Sequence, residues 1–254
     1  MDKNERLTRS GAHGMWDTVK TVVYAVLIAL FIRTVAYEPF NSPSASMVPT
    51  LLVGDYLFVS KYSYGYSYHS LPLSPRLFKG RLFQTSPDRG DVAVFKLPSD
   101  NDTDYIKRVI GLPGETIHMK QGRLYINGTV VKRERIENYI DENGRSLPRF
   151  IETLPNGRRH EILEIGGDNA PLDNTREYRV PPGHYFMMGD NRDNSADSRV
   201  MRDMDSRYVG YVPAENFVGR AEILFFSTDG SAGWLRFWRW IPAMRFGRLF
   251  KVIE

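Results

Sequence analysis

The feature that most restricts this chain is TVVYAVLIALFI, an unbroken apolar run over residues 21–32. As a helix it spans about 18 Å, short of the roughly 30 Å hydrocarbon core of a bilayer. Extended from Trp16 to Tyr37 it reaches about 31 Å, with an aromatic ring at each end in the place of an interfacial anchor. Lys20 and Arg33 fall inside that stretch and have to snorkel outward. A buried core helix is the other use for such a run. A cleaved signal peptide fits less well, because Tyr37-Glu38-Pro39-Phe40 follows where small residues would mark a cut. The segment 16–37 is therefore read as an uncleaved, single-pass transmembrane anchor behind a polar segment, 1–15. Lys3, Arg6 and Arg9 ahead of it favour a cytoplasmic N-terminus and an exported remainder.

Past residue 40 the pattern changes to short apolar runs cut by Gly, Pro, Asn and Asp. Expected strands are Tyr56–Ser60, Asp91–Lys96, Tyr105–Ile110, Thr116–Lys120, Arg123–Ile126, Thr129–Val131, His184–Met188 and Ala221–Phe226. Gln121-Gly122, Asn127-Gly128 and Gly111-Leu112-Pro113-Gly114 supply the turns. The fold class is thus mainly β, an N-terminal helix followed by a β body. Strand–helix alternation and phosphate-binding glycine motifs are absent from the sequence. Residues 62–90 read as a long Tyr-, Ser- and Pro-rich loop, and 132–180, more charged and less periodic, as an inserted subdomain.

Composition narrows the chemistry. The 254 residues include no cysteine, which excludes thiol catalysis, disulfides and Cys-ligated metals. The five histidines, His13, His69, His118, His160 and His184, are scattered and form no metal motif. Nucleophilic catalysis has to use Ser, Thr, Lys or a carboxylate. A net charge of +4 is weak support for nucleic-acid binding and suits an anionic membrane surface equally. The segment 233–254 interleaves Trp234, Phe237, Trp238 and Trp240 with Arg236, Arg239, Arg245 and Arg248. It suits a membrane interface, a terminal segment packed on the core with its arginines in water, or, less well, a nucleic acid.

Three clusters carry reactive side chains. One is Asn41-Ser42-Pro43-Ser44-Ala45-Ser46-Met47-Val48-Pro49-Thr50; alone it is an ordinary loop. In Asp104-Tyr105-Ile106-Lys107-Arg108-Val109-Ile110, strand alternation points Lys107 the same way as Tyr105 and Val109. Apolar neighbours there would desolvate the ammonium and lower its pKa, as a lysine base requires. The third, Gly189-Asp190-Asn191-Arg192-Asp193-Asn194-Ser195-Ala196-Asp197-Ser198-Arg199, is either an Asx-rich turn or a rigid polar network.

Taken together, these clusters resemble the boxes of the bacterial type I signal peptidases. Residues 44–51 with Gly54-Asp55 match S-x-S-M-x-P-T-L followed by G-D. Residues 90–95 match G-D-x-V-F with its apolar filling, 104–114 match D-Y-I-K-R and G-L-P-G, and 189–199 match G-D-N-R-D-x-S-x-D-S-R, all in the family's order. The resemblance implies a β catalytic domain, 38–115 with 183–232, and a smaller inserted β subdomain, 116–182, ahead of a basic aromatic tail, 233–254. It implies Ser46 as nucleophile and Lys107 as general base, with no cofactor and no metal. Ser44 and the Ser46 amide would form the oxyanion hole, and Ser195 would hold the Lys107 amine. Asp197 and Arg199 would pair to stiffen that loop, with Arg192 in support. Pro39, Phe40, Asn41, Ser42 and Pro43 would line one wall of the substrate site, and Asp104, Tyr105 and Ile106 the strand that pairs with an extended peptide.

The implied partners are signal-peptide-bearing preproteins, cut after small residues at −1 and −3, and the lipid bilayer, with no nucleic acid. The implied location is the bacterial inner membrane, with the catalytic domain on the periplasmic side. Ser46 follows Tyr37 by nine residues, which suits a scissile bond at the bilayer surface. Three departures stand out. Ser42 occupies a place where many members carry an aliphatic residue. Ala45 replaces Gly or Ser. Val200–Asp205 intervene before a second Asp-Ser-Arg, Asp205-Ser206-Arg207; the spacing from Gly189 favours the first copy. Other readings are a self-cleaving repressor, which would need a DNA-binding module ahead of residue 40, and a membrane-tethered β scaffold that has lost its dyad.

Overall fold

The computed structural model describes residues 3–70, 80–201, 205, 208–231 and 240–253; the side chains of 3–15 and 240 are not among those described. Helix α1 runs Lys3–Val35. Its portion Trp16–Val35, 20 residues, is long and apolar enough to cross a bilayer, and none of it is buried against the protein. A soluble core helix would not leave Val22, Leu27, Ile28 and Phe31 about half exposed or more.

The helix is fastened where it meets the body. The buried Lys61 amine lies 2.9 Å from Glu38 and donates to the Ser70 carbonyl at 2.5 Å. Arg33 pairs with the same Glu38 at 3.3 Å. Tyr66 Oη donates to the Val35 carbonyl at 2.5 Å, capping one of the acceptors that a helix end leaves over.

The body is mainly β. Its principal sheet contains β1 (Tyr37–Asn41), β2 (Asp55–Ser60), β3 (Val92–Lys96), β4 (Asp104–Gly111), β12 (His184–Met188), β13 (Val212–Pro213) and β14 (Phe217–Ser227). Their spatial order is β1-β2-β14-β3-β4-β12-β13, with antiparallel neighbours throughout. Two smaller sheets fall between residues 116 and 179. One is a four-stranded meander, β5 (Thr116–Lys120), β6 (Arg123–Ile126), β7 (Thr129–Val130) and β11 (Tyr178–Arg179), in the order β11-β5-β6-β7. The other is a three-stranded ribbon, β8 (Lys132–Ile140), β9 (Ser146–Thr153) and β10 (Arg159–Leu163), in the order β10-β9-β8.

The expected strands all coincide with observed ones, Thr116–Lys120, Arg123–Ile126 and His184–Met188 with the same bounds and the other five at shifted ends. The ribbon is the difference. Its strands are half exposed and alternate charge with apolar residues, so they lack the apolar runs that mark a buried strand. The short, exposed edge strand β1 was missed for the same reason. Of the expected loop 62–90, residues 71–79 lie outside the described residues, and the remainder is anchored by Arg81. That guanidinium donates to the carbonyls of Tyr64, Gly65, Ala214 and Phe217.

Apolar side chains gather in three clusters. One holds Met47, Leu51, Val92 and Ile106, with Phe40 packed against it, so β1 and β4, distant in strand order, reach one core. The ribbon joins the body through charge: the buried Arg192 guanidinium grips Glu152 of β9 with two bonds, 2.8 and 2.5 Å. Both residues are almost wholly inaccessible. Removing one partner strands the other's charge in a low dielectric. Glu152→Ala is therefore expected to cost about 3–5 kcal/mol, read by denaturant unfolding, whereas an exposed-pair variant such as Lys132→Ala should move stability by less than about 1 kcal/mol.

Candidate active site

Alternation along β4 sends Lys107 and Arg108 to opposite faces of one strand, and each organises one half of the site. Lys107 faces the turn that carries Ser46. Its Nζ lies 2.7 Å from Ser46 Oγ and 2.9 Å from the Ile106 carbonyl oxygen, and the residue is 3 % exposed. The amine also sits 5.2 Å from the centre of the Tyr105 ring. Burial pushes the Lys107 amine down to about 8 from its usual 10.5; Asp197 and Asp190 oppose the shift without reversing it. At neutral pH about one chain in ten therefore carries a free lone pair at hydrogen-bond distance from a serine hydroxyl.

Arg108, on the other face, holds the frame. It donates through Nε and Nη2 to the two oxygens of Asp190, at 2.9 and 2.8 Å, and through Nη1 to the Gly90 carbonyl at 2.7 Å. Asp190 also accepts from Thr50 Oγ1 at 2.5 Å. The same buried carboxylate thus ties β4 to the nucleophile turn. Arg108 and Thr50 hold its pKa below the ordinary carboxylate value against the opposing effect of burial. Neighbouring Asn191 donates its backbone N–H to the Ser46 carbonyl and its Nδ2 to the Ala45 carbonyl, both at 3.0 Å. Thr50, Arg108, Asp190 and Asn191 stand within the sequence clusters but carry no expected role there, and Glu152 lies outside them. The signal for two was present: an Arg directly after a strand Lys faces away from it, and a buried Arg calls for an acid.

The expected partners fall as follows. Ser44 Oγ lies 3.0 Å from Ser46 Oγ, beside the nucleophile candidate. Asp197 and Arg199 form a bidentate pair, 2.9 and 2.8 Å, with neither side chain accessible. Asp197 also accepts the Gly189 N–H at 3.0 Å, and Arg199 Nη2 donates to the Arg192 carbonyl at 2.6 Å. Arg192 gives its own side chain to Glu152. Ser195 differs from expectation: its Oγ is buried with no hydrogen bond among the described residues, and Lys107 turns to Ser46 and Ile106 instead. The Ser195 hydroxyl nonetheless lies over Gly189, whose missing Cβ would stand 2.5 Å from the Ser46 carbonyl oxygen.

Of the expected substrate wall, Pro39, Asn41 and Pro43 are exposed, Phe40 is half-buried, and Ser42 is buried. Ser42 exchanges backbone hydrogen bonds with Asp55 and Gly54 and turns its hydroxyl to the Ser44 carbonyl at 3.4 Å, so its polarity is met from within. Asp104 is exposed and pairs with Lys96 at 3.0 Å, while Ile106 is buried in the core that Phe40 touches. Over 104–107, β4 is paired only with β3, because β12 joins it at Arg108. β1, at the sheet margin, likewise has one free edge.

The sequence leaves three uses for the tail: a membrane interface, a terminal segment packed on the core with its arginines in water, or, less well, a nucleic-acid contact. Residues 232–239 lie outside the described residues, which takes in Trp234, Arg236, Phe237, Trp238 and Arg239. In the described part the segment does pack on the body, Ile253 against the core of Met47 and Leu51, but Arg245 and Arg248 are not left to water. Arg248 grips Asp55 at 3.0 and 2.5 Å and donates to the Thr50 carbonyl at 3.0 Å; Arg245 donates to the Val53 carbonyl at 2.9 Å. A buried carboxylate and the carbonyls of the nucleophile segment outcompete water for these guanidinium groups. The second Asp-Ser-Arg copy falls mostly outside the described residues.

Away from Ser46 and Lys107, oxygens of Glu164, Asp173 and Asp193 come within 4.8 Å of one another. Arg133 stands 3.5 Å from Glu164, and burial pushes the Glu164 carboxyl up to about 8. Protonation and that guanidinium already reduce the charge a cation would answer. His160 is likewise neutral: burial, reinforced by Arg108, pushes it down to about 3.

The arrangement resembles known proteins over nearly its whole length. Residues 15–226 match the family described as signal peptidase, peptidase S26. Among curated relatives, the signal peptidase I of Rickettsia conorii is 41% identical over 98% of this chain and 96% of its own. That of Rickettsia typhi is 43% identical over 90% of each. A crystal structure of a signal peptidase I from Enterococcus faecalis shares 28% identity, covering 54% of this chain and 97% of its own, with a TM-score of 0.32.

Two outcomes follow from the geometry. Gly189→Ala places a methyl group against the Ser46 carbonyl and Ser195; activity should fall about a hundredfold with the circular dichroism spectrum unchanged. Lys107→Met should raise stability. The folded-state pKa lies below the unfolded one, so protonated Lys107 disfavours folding below about pH 8, by about 3 kcal/mol. The gain in Tm should be largest at and below neutrality and shrink as pH rises from 8 towards 10.5.

Proposed function

The chain belongs to the signal peptidase I family of serine peptidases, and on that premise we propose that it releases exported preproteins from their signal peptides through a Ser46–Lys107 dyad. The observation that carries this reading is the 2.7 Å approach of a desolvated lysine amine to a serine hydroxyl. The neutral Lys107 amine takes the Ser46 proton as Oγ attacks the scissile carbonyl. The developing oxyanion is met by the Ser46 N–H and by Ser44 Oγ, which turns from Ser46 Oγ to donate. Lys107 then passes the proton to the departing amine, and the same base activates water to cleave the ester. Ser195 closes the space behind the dyad and helps hold the amine when it becomes charged. Asp197, Arg199 and Arg192 keep that loop rigid.

An extended substrate segment lies between the free edges of β1 and β4, with Pro39–Pro43 on one side and Asp104–Ile106 on the other. Small residues at −1 and −3 are the side chains such a segment would turn towards the core of Ile106 and Phe40. Helix α1, whose Trp16–Val35 portion is 20 residues long, apolar enough to cross a bilayer and unburied, serves as the anchor in the bacterial inner membrane. Its N-terminal end lies in the cytoplasm and the β body on the exported side. Because β1 begins two residues after the helix, the dyad stays near the lipid surface, where a signal peptide ends.

Ser46→Ala and Lys107→Met should each abolish cleavage of a preprotein by the full-length enzyme in detergent, with the cut mapped by mass spectrometry; near-normal cleavage by either variant would overturn the dyad. For the wild type, kcat/KM should rise with pH and level off above an apparent pKa of about 8, as the Lys107 amine loses its proton.

A further inference from the structure

Beside the nucleophile turn lies a groove of about 170 Å³, about six water volumes. Ala45 and Val48 line it from the nucleophile turn, Leu163 and Ile165 from the end of β10 and just beyond it, and Tyr139 and Leu147 from the β8–β9 hairpin. It shares no residue with the Pro39–Pro43 wall or with Asp104–Ile106. Ala45 directly precedes Ser46 and lines the groove, as does Asn191, whose N–H meets the Ser46 carbonyl, so the groove adjoins the point where a scissile carbonyl would sit.

Two further features suit a polypeptide. Asn191 is 3 % exposed and lines the groove; its N–H and Nδ2 are spent on Ser46 and Ala45, while its Oδ1 is buried without a hydrogen-bond partner. A peptide N–H would satisfy that acceptor. The hairpin tip is also held in place. Arg145 Nε donates to Asp141 at 2.6 Å, and Glu142 pairs with Arg245. That side of the groove is thus fixed before a ligand arrives.

Building on the dyad reading above, we propose that this groove is the subsite for the mature side of the preprotein, taking an apolar side chain from the first three residues after the cut. The ribbon, through its β8–β9 tip and the residues following β10, then shapes which mature sequences are processed fastest.

The test exchanges charge across the groove. Ile165 is 41% exposed and outside the dyad and its supports, so substitution there leaves the fold intact. Preproteins with one signal peptide and Leu, Asp or Lys placed in turn at the first three mature positions are offered to wild type, Ile165→Asp and Ile165→Lys, all as full-length enzyme in detergent. At one of these positions the wild type should prefer Leu over either charge by about tenfold in kcat/KM, the scale set by one partly buried side chain. There Ile165→Asp should come to favour Lys, and Ile165→Lys to favour Asp, with the −1 preference unchanged. A reciprocal swap of this kind is not produced by general loosening. If all three enzymes cut every substrate at equal relative rates, the subsite is wrong and the dyad reading stands. If the wild type leaves all the substrates whole, or Ser46→Ala still cuts them, the dyad reading fails and the subsite with it.

Discussion

An amine of pKa 10.5 is useless as a base at neutral pH, and for the role we propose for Lys107 the site has to remove that handicap without losing the lysine's position. Burial does the first; it withdraws water from Nζ and supplies no adjacent carboxylate to repay the charge. The two acids nearest enough to matter, Asp190 and Asp197, are each committed to an arginine, Arg108 and Arg199. Their negative charge is largely spent locally, so it reaches Lys107 weakly. Had either acid stood free at the same distance, the lysine would remain protonated and inert.

The same pairings give the site its rigidity. Asp190 fixes Thr50 and β4 together, Asp197 fixes the Gly189 amide, and Arg192 carries the loop into the ribbon through Glu152. Each is a buried ion pair whose net worth to stability is modest compared with an apolar substitute. Their value here is directional: guanidinium forks hold three separate segments in one relative orientation, with the serine and lysine held between them. An apolar core of equal stability would permit slippage that a dyad at 2.7 Å cannot tolerate.

Much of this was legible before any coordinates. The strands bearing Lys107 and the Gly189–Arg199 loop announced themselves through apolar runs and turn residues, and the boxes around Ser46 and Lys107 gave the dyad by resemblance. What stayed hidden had physical causes. The β8 and β9 strands pack one half-exposed face and alternate charges, so hydrophobic patterning could not find them. The Arg192–Glu152 and Arg248–Asp55 pairs join residues far apart in the chain, and a single sequence does not say which arginine meets which acid. Ser195 was assigned a bond to the lysine, but the amine satisfied itself with the Ile106 carbonyl, an acceptor that every residue carries and no motif advertises.

The grip of Arg248 on Thr50 and Asp55 has a temporal side. The two ends of that contact are separated by most of the polypeptide, so a ribosome that has already delivered the serine, the lysine and every strand of the principal sheet has still not delivered the residue that fastens the segment behind the serine. Closure of the segment behind the serine consequently waits until residue 248 has been made, and a chain truncated just short of this arginine would possess Ser46 and Lys107 with their backing left open.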